Sequence, residues 1–220
     1  MKAVRLCANL WISEALAKRE LPKVTVPSLQ LVSQILECEL NENSEDLILN
    51  ALSYLSNVLF FLPVASSAFA GDLMSKCKNI MGGTNNSEIR VECLRILGNL
   101  SRDMGITRVF REKGIVASLY EVLTGLKSGS KECFYAVGVL MNLASDEDTR
   151  GTQMYDARIN VLIQKLESNG FEDLELTKNI CKLLVNLCDS KTNGKWTNEQ
   201  IEKVDKVLTS LGDECDSSLV

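Results

Sequence analysis

The chain has 220 residues, 45% hydrophobic and 24% charged, a balance that supports a packed core and excludes an intrinsically disordered polypeptide. Its net charge is −5, with acids and bases interspersed, which excludes the concentrated positive stripe of a nucleic-acid binder. Aromatics make up 5% and only three prolines occur (Pro22, Pro27, Pro63), so helix is favoured over sheet.

Met1-Lys2-Ala3-Val4-Arg5 leads into a mixed segment without the apolar run and cleavage site of a secretory leader, so a reducing cytoplasmic setting is expected. Cys7-Ala8-Asn9-Leu10 follows, and the chain is expected to open inside a helix whose usual preceding partners lie upstream of it, as in a fragment. An amphipathic helix is predicted over Ser28 to Leu40. Asn43-Ser44-Glu45-Asp46 then supplies capping side chains and first-turn acids for a second helix. The stretch Leu47 to Leu62 is the most apolar of the chain. It is shorter than the roughly 20 residues of a membrane helix, and Asn50 and Asn57 interrupt it, so it reads as a buried helix and not as a membrane insertion. Leu59-Phe60-Phe61-Leu62-Pro63 exceeds what one helix face needs. It is either a helix end tucked between neighbours or a docking patch.

Ala68 to Met81 is the next amphipathic piece, and Asn86-Ser87-Glu88 opens the helix bearing Leu97-Gly98-Asn99-Leu100. Thr107 to Leu126 is broken within Phe110-Arg111-Glu112-Lys113-Gly114-Ile115-Val116, which predicts a short helix, a glycine turn and a second helix. Ser128-Gly129-Ser130 precedes the helix with Leu140-Met141-Asn142-Leu143. Ile159 to Glu167 follows, then Glu172-Asp173 before the helix with Leu184-Val185-Asn186-Leu187, and Asn198 to Leu211 closes the series.

With Leu55-Ser56-Asn57-Val58, these tetrapeptides form five copies. Their asparagines fall at 9, 57, 99, 142 and 186, with spacings of 48, 42, 43 and 44, the period of repeats built from two or three helices. Six residues before each asparagine stand Ala3, Ala51, Cys93, Ala136 and Ile180, and three before stand Leu6, Tyr54, Ile96, Val139 and Leu183. On a helix, positions −6, −3, −2 and +1 share one face, apolar in all five copies, with the asparagine at its margin.

A short helix, a glycine turn, an apolar helix and a third helix carrying L-x-N-L together resemble the armadillo repeat. The resemblance covers essentially the whole chain. It implies an all-α, armadillo-type α-solenoid of about four repeats plus a partial N-terminal repeat. The expected boundaries are a partial repeat at 1–20, repeats at about 28–63, 66–104, 105–146 and 150–190, and a C-terminal helix at 197–213, all one domain over 1–220. The runs Leu94 to Asp103, Val4 to Leu10 and Gly138 to Leu143 are most similar to a branch associated with assembly of the ciliary and sperm-flagellar axoneme. That likeness implies a scaffold or adaptor located in the cilium or flagellum, with axonemal or intraflagellar-transport proteins as partners.

In armadillo proteins the third helices line a concave face, and their asparagines bond the backbone of an extended peptide. The resemblance carries this role onto Asn9, Asn57, Asn99, Asn142 and Asn186. An asparagine near a helix end also serves to tie a neighbouring repeat, and the two roles can coexist. One turn earlier stand Arg5, Ser53, Arg95, Gly138 and Lys182. Nuclear-import adaptors of this fold carry tryptophan there, and its absence argues against basic localisation signals. Three of the five positions are basic, which points to an extended acidic or mixed partner segment, as in the catenin branch. The plainer reading is a row of solvated helix residues. Tyr135 and Asn179, seven residues before Asn142 and Asn186, belong to the same strip. An import or adhesion adaptor is the alternative function.

Histidine is absent, and no nucleophile elbow, P-loop or dinucleotide fingerprint occurs. Gly82-Gly83 reads as an inter-helix turn, and the pairs Glu147/Asp148 and Glu172/Asp173 read as first-turn acids. The eight cysteines include no C-x-x-C spacing and read as small core hydrophobes. A non-enzymatic chain without cofactor or metal is expected.

Overall fold

The computed structural model describes residues 26–41, 43–61, 67–153, 156–169, 172–187 and 196–217. The partial repeat at 1–20, with Arg5 and Asn9, and the pair Leu62-Pro63 lie outside the described residues. Among the described residues all regular structure is helical, and the chain divides into two compact units, Met1–Ile115 and Val116–Val220.

In the first unit, α1 (Val26–Gln34) runs into a 3-10 turn (Ile35–Glu37) and is followed by α2 (Glu45–Phe61), α3 (Ser67–Gly83) and α4 (Ser87–Ser101). A 3-10 turn (Met104–Ile106) and the short α5 (Thr107–Glu112) complete it. The expected register is the one buried. Positions −6, −3, −2 and +1 around Asn57 (Ala51, Tyr54, Leu55, Val58) and around Asn99 (Cys93, Ile96, Leu97, Leu100) all lie in the core. Each large side chain so buried contributes about 1.5–3 kcal/mol of transfer free energy, which is why α4 lies against both α2 and α3. Polar clips fix the spacing. Lys76 of α3 meets Glu37 and Asp72, each at 2.9 Å, and donates to the Ser33 carbonyl at 3.2 Å.

The glycine break is where the sequence puts it. Gly114 adopts φ +66°, a left-handed conformation that costs other residues about 1–2 kcal/mol, and ends α5 before α6 (Ile115–Gly125) begins. The second unit continues with α7 (Lys131–Leu143), α8 (Glu147–Gln153), α9 (Asp156–Asn169), α10 (Leu174–Leu187) and α11 (Asn198–Ser217). Ala136, Val139, Leu140 and Leu143 of α7 and Ile180, Leu183, Leu184 and Leu187 of α10 repeat the buried register. Here α10 lies against α7 and α9, and α11 lies against α9.

Helix starts follow the capping signals in three of four third helices. The Asn86 side chain accepts from Glu88 N at 3.0 Å, Ser130 Oγ from Cys133 N at 3.2 Å, and Asp173 Oδ1 from Leu176 N at 3.0 Å. The fourth differs. Ser44 Oγ accepts from Asn41 N and donates to the Glu39 carbonyl, so it closes the preceding turn, and α2 relies on Glu45 and Asp46 in its first turn. Gly82 and Gly83 also differ from the expected turn. They form the end of α3, because the helical ladder continues through Thr84 N to the Ile80 carbonyl at 3.1 Å.

Candidate peptide-binding face

On α2 and α4 the asparagine positions are built into one polar cluster. Asn99 Nδ2 donates to the Ser56 carbonyl at 2.7 Å, so this amide ties its helix to the neighbouring third helix. Arg95, one turn earlier, donates through one nitrogen to Asn57 Oδ1 at 3.1 Å and through another to Glu92 Oε1 at 2.7 Å. Ser56 Oγ donates to Glu92 Oε2 at 2.8 Å, which closes the cluster. Arg95 and Glu92 expose 33% and 14% of their side chains, so the pair is half-buried and geometrically fixed rather than a mobile surface bridge. Asn57 and Asn99 are themselves half-buried at the margin of the core.

At the end of α2, Phe60 is 55% exposed. Its ring meets Phe61 edge-on at 4.9 Å, and the exposed Arg102 lies 5.1 Å from its centroid and donates to its carbonyl at 3.4 Å. Leu59 is buried, so the apolar segment divides into a tucked residue and an open one. Chain position alone did not pair Phe60 with Arg102. The signal that would have found them is that each stands three residues after its asparagine.

In the second unit, α7 places Asn142 and Tyr135, and α10 places Asn186, Lys182 and Asn179. Lys182 is exposed and the other four are half-buried. The Tyr135 ring stands edge-on to Phe134 at 5.7 Å. Nothing in this arrangement joins an acid, a base and a nucleophile. Among the described residues there is no group of three or more histidine, cysteine, aspartate or glutamate side chains arranged to hold a metal ion, and no helix is long and apolar enough to cross a membrane. Burial pushes the Cys93, Cys133 and Cys181 thiols above the usual range, with neighbouring Cys77 and Glu92 adding to the effect at Cys93. That is the opposite of what a nucleophilic thiolate needs.

No family model matches the chain. Three curated relatives are similar to it, each an armadillo repeat-containing protein 2. The Mus musculus protein is 27% identical over 195 residues, covering 88% of this chain and 22% of the relative. The Bos taurus protein is 26% identical over 223 residues, covering 97% of this chain and 25% of the relative, and the Homo sapiens protein is 25% identical over 221 residues with the same coverage. The chain therefore spans about a quarter of the length of these relatives. Among solved structures, a designed armadillo repeat protein in complex with peptide (KR)4 superposes with a TM-score of 0.66 at 14% identity, covering 94% of this chain and 80% of the other. A crystal structure of an engineered protein gives 0.57 at 19% identity, covering 94% and 85%. The chain is thus similar in sequence to armadillo repeat-containing protein 2, and its fold is the all-α, armadillo-type α-solenoid that the repeat register implied.

Proposed function

We propose that the chain is a non-catalytic protein-binding scaffold whose third-helix faces grip an extended, acidic or mixed polypeptide segment, in support of axoneme assembly in cilia or flagella. The observation that carries the binding role is the fixed cluster on α2 and α4. Arg95 is held in place by Glu92 and Asn57, and the Asn99 amide, anchored through Nδ2, keeps its Oδ1 outside those bonds as an acceptor for a peptide N–H. The exposed Lys182 and Arg102 add positive charge beside the asparagines. The axonemal setting is supported by the likeness to armadillo repeat-containing protein 2. The test is an affinity capture from ciliated tissue with the wild-type chain and with a Lys182→Glu, Arg102→Glu double variant. Axonemal or intraflagellar-transport proteins are expected on the wild type and depleted on the variant. Recovery of importin-β or nuclear cargo instead would sink the reading.

A further inference from the structure

Given that the third-helix faces bind an extended acidic segment, the geometry points to a subsite beyond the asparagine row that reads one triplet of that segment. An aromatic residue of the partner packs on Phe60, and an acidic residue two positions along pairs with Arg102. Three polar links join α2 to α4. Arg95 and Asn99 make the two at the asparagines, and Arg102 makes the third through its bond to the Phe60 carbonyl. Phe60 and Arg102 each stand three residues after an asparagine, so they meet at the end of this seam. The same position in the other copies is Ile12, Ser145 and Asp189, and no other neighbouring pair of copies sets an aromatic beside a cation.

Phe60 is 55% exposed although Val58 and Leu59 before it are buried, so its ring offers apolar surface to a partner. Arg102 is exposed but held, by the ring at 5.1 Å and the carbonyl at 3.4 Å, so little ordering remains to be lost when a ligand binds. Its charge is also unspent. Arg95 is paired with Glu92 and Arg108 with Glu112, whereas among the described residues Arg102 has no carboxylate within ion-pair distance. Asp103, next in the chain, uses its Oδ1 to accept from Gly105 N at 2.8 Å. A guanidinium has five N–H donors and the Phe60 carbonyl takes one, which leaves a fork for a carboxylate. The triplet follows from strand geometry. Residues i and i+2 of an extended segment project to one side about 7 Å apart, whereas i and i+1 project to opposite sides. An aromatic and an acid with one residue between them therefore reach the ring and the guanidinium together, and an adjacent pair does not.

The test is fluorescence anisotropy on the full chain with labelled acidic octapeptides of equal net charge. One carries Phe-Ser-Glu at its centre, a reference carries Ser-Ser-Glu, and an isomer of the first carries Ser-Phe-Glu. The first is expected to bind about fivefold more tightly than either of the others. Phe60→Ala is expected to erase its advantage over the reference. Arg102→Gln is expected to erase its advantage over the isomer, with the helical circular-dichroism signal unchanged in both variants. The peptide comparisons use the unaltered chain and stand whether or not a variant folds. If the reference binds and the first peptide gains nothing over it, if the isomer binds equally well, or if the gain survives Phe60→Ala, the subsite is overturned and the acidic-segment reading is left standing. If none of the peptides binds up to about 1 mM, both fall together.

Discussion

The Asn99 amide is anchored within the fold at one end, and the proposed peptide contact falls to its other end. Its Nδ2 bond to the Ser56 carbonyl is structural, so Asn99→Ala is expected to lower unfolding free energy by about 0.5–1.5 kcal/mol in urea titration. A purely ligand-facing amide would leave stability unchanged. The row of asparagines was legible from spacing alone. That Arg95 reaches Asn57 was not, because sequence gives its place on its own helix and not the neighbour 38 residues away. The buried thiols lead to a pH dependence. Cys93, Cys133 and Cys181 are raised in the fold, chiefly by burial, while unfolded thiols ionise near their ordinary value of 9.0. Above that value the unfolded state binds fewer protons than the folded one. Stability under reducing conditions is therefore full below about pH 8 and falls as pH rises further, as equilibrium denaturation across pH 7–10 would register.

At the scale of the helix, the cap and the core face set the energies. Asn86 caps α4 through Glu88 N and Ile89 N and also donates to Glu45 Oε2 at 3.0 Å. Asn86→Ala is expected to cost about 1–2 kcal/mol, the upper half of the range for caps, because a second helix is held by the same residue. Leu97→Ala, at a fully buried position between packed helices, is expected to cost about 2–5 kcal/mol. A loss below about 0.5 kcal/mol in thermal or urea unfolding would mean that the buried face has been misassigned. The core register and the break at Gly114 could be read from the sequence because apolar periodicity and a positive-φ glycine are local signals. The true lengths of α3, α9 and α11 could not. Each runs a few residues beyond the apolar pattern that marked it, and at the end of α9 the buried Asn169 is held instead by polar bonds to the Asp173 carbonyl and Thr177. Ser44 likewise offered a capping side chain whose alternative, the turn before the helix, depended on where Glu39 and Asn41 would lie.

For the molecule as a whole, the net charge of −5 sets a general repulsion for acidic ligands that local cations must overcome. Exposed charges act over roughly 8–10 Å at ordinary ionic strength, so cations close to a bound segment matter more to it than distant acids. An extended acidic octapeptide is expected to bind more tightly than (KR)4 by fluorescence anisotropy, and to weaken as salt rises. The reverse order would reassign the ligand class. The all-helical, armadillo-type character of the fold was legible at this scale. The division at Ile115 was not, because the helical pattern runs through it without a linker-like composition. An apolar cleft between α10 and α11, lined by Leu184, Val185, Ile201 and Leu208, gives the molecule an optical reporter of its own state. Trp196 is one of two tryptophans, it lines the cleft, and its indole N–H is buried without a partner. With Trp11 replaced by phenylalanine, emission arises from Trp196 alone. Its wavelength then reads out how wet the cleft is, lying to the blue while the indole is buried and moving to the red once water reaches it.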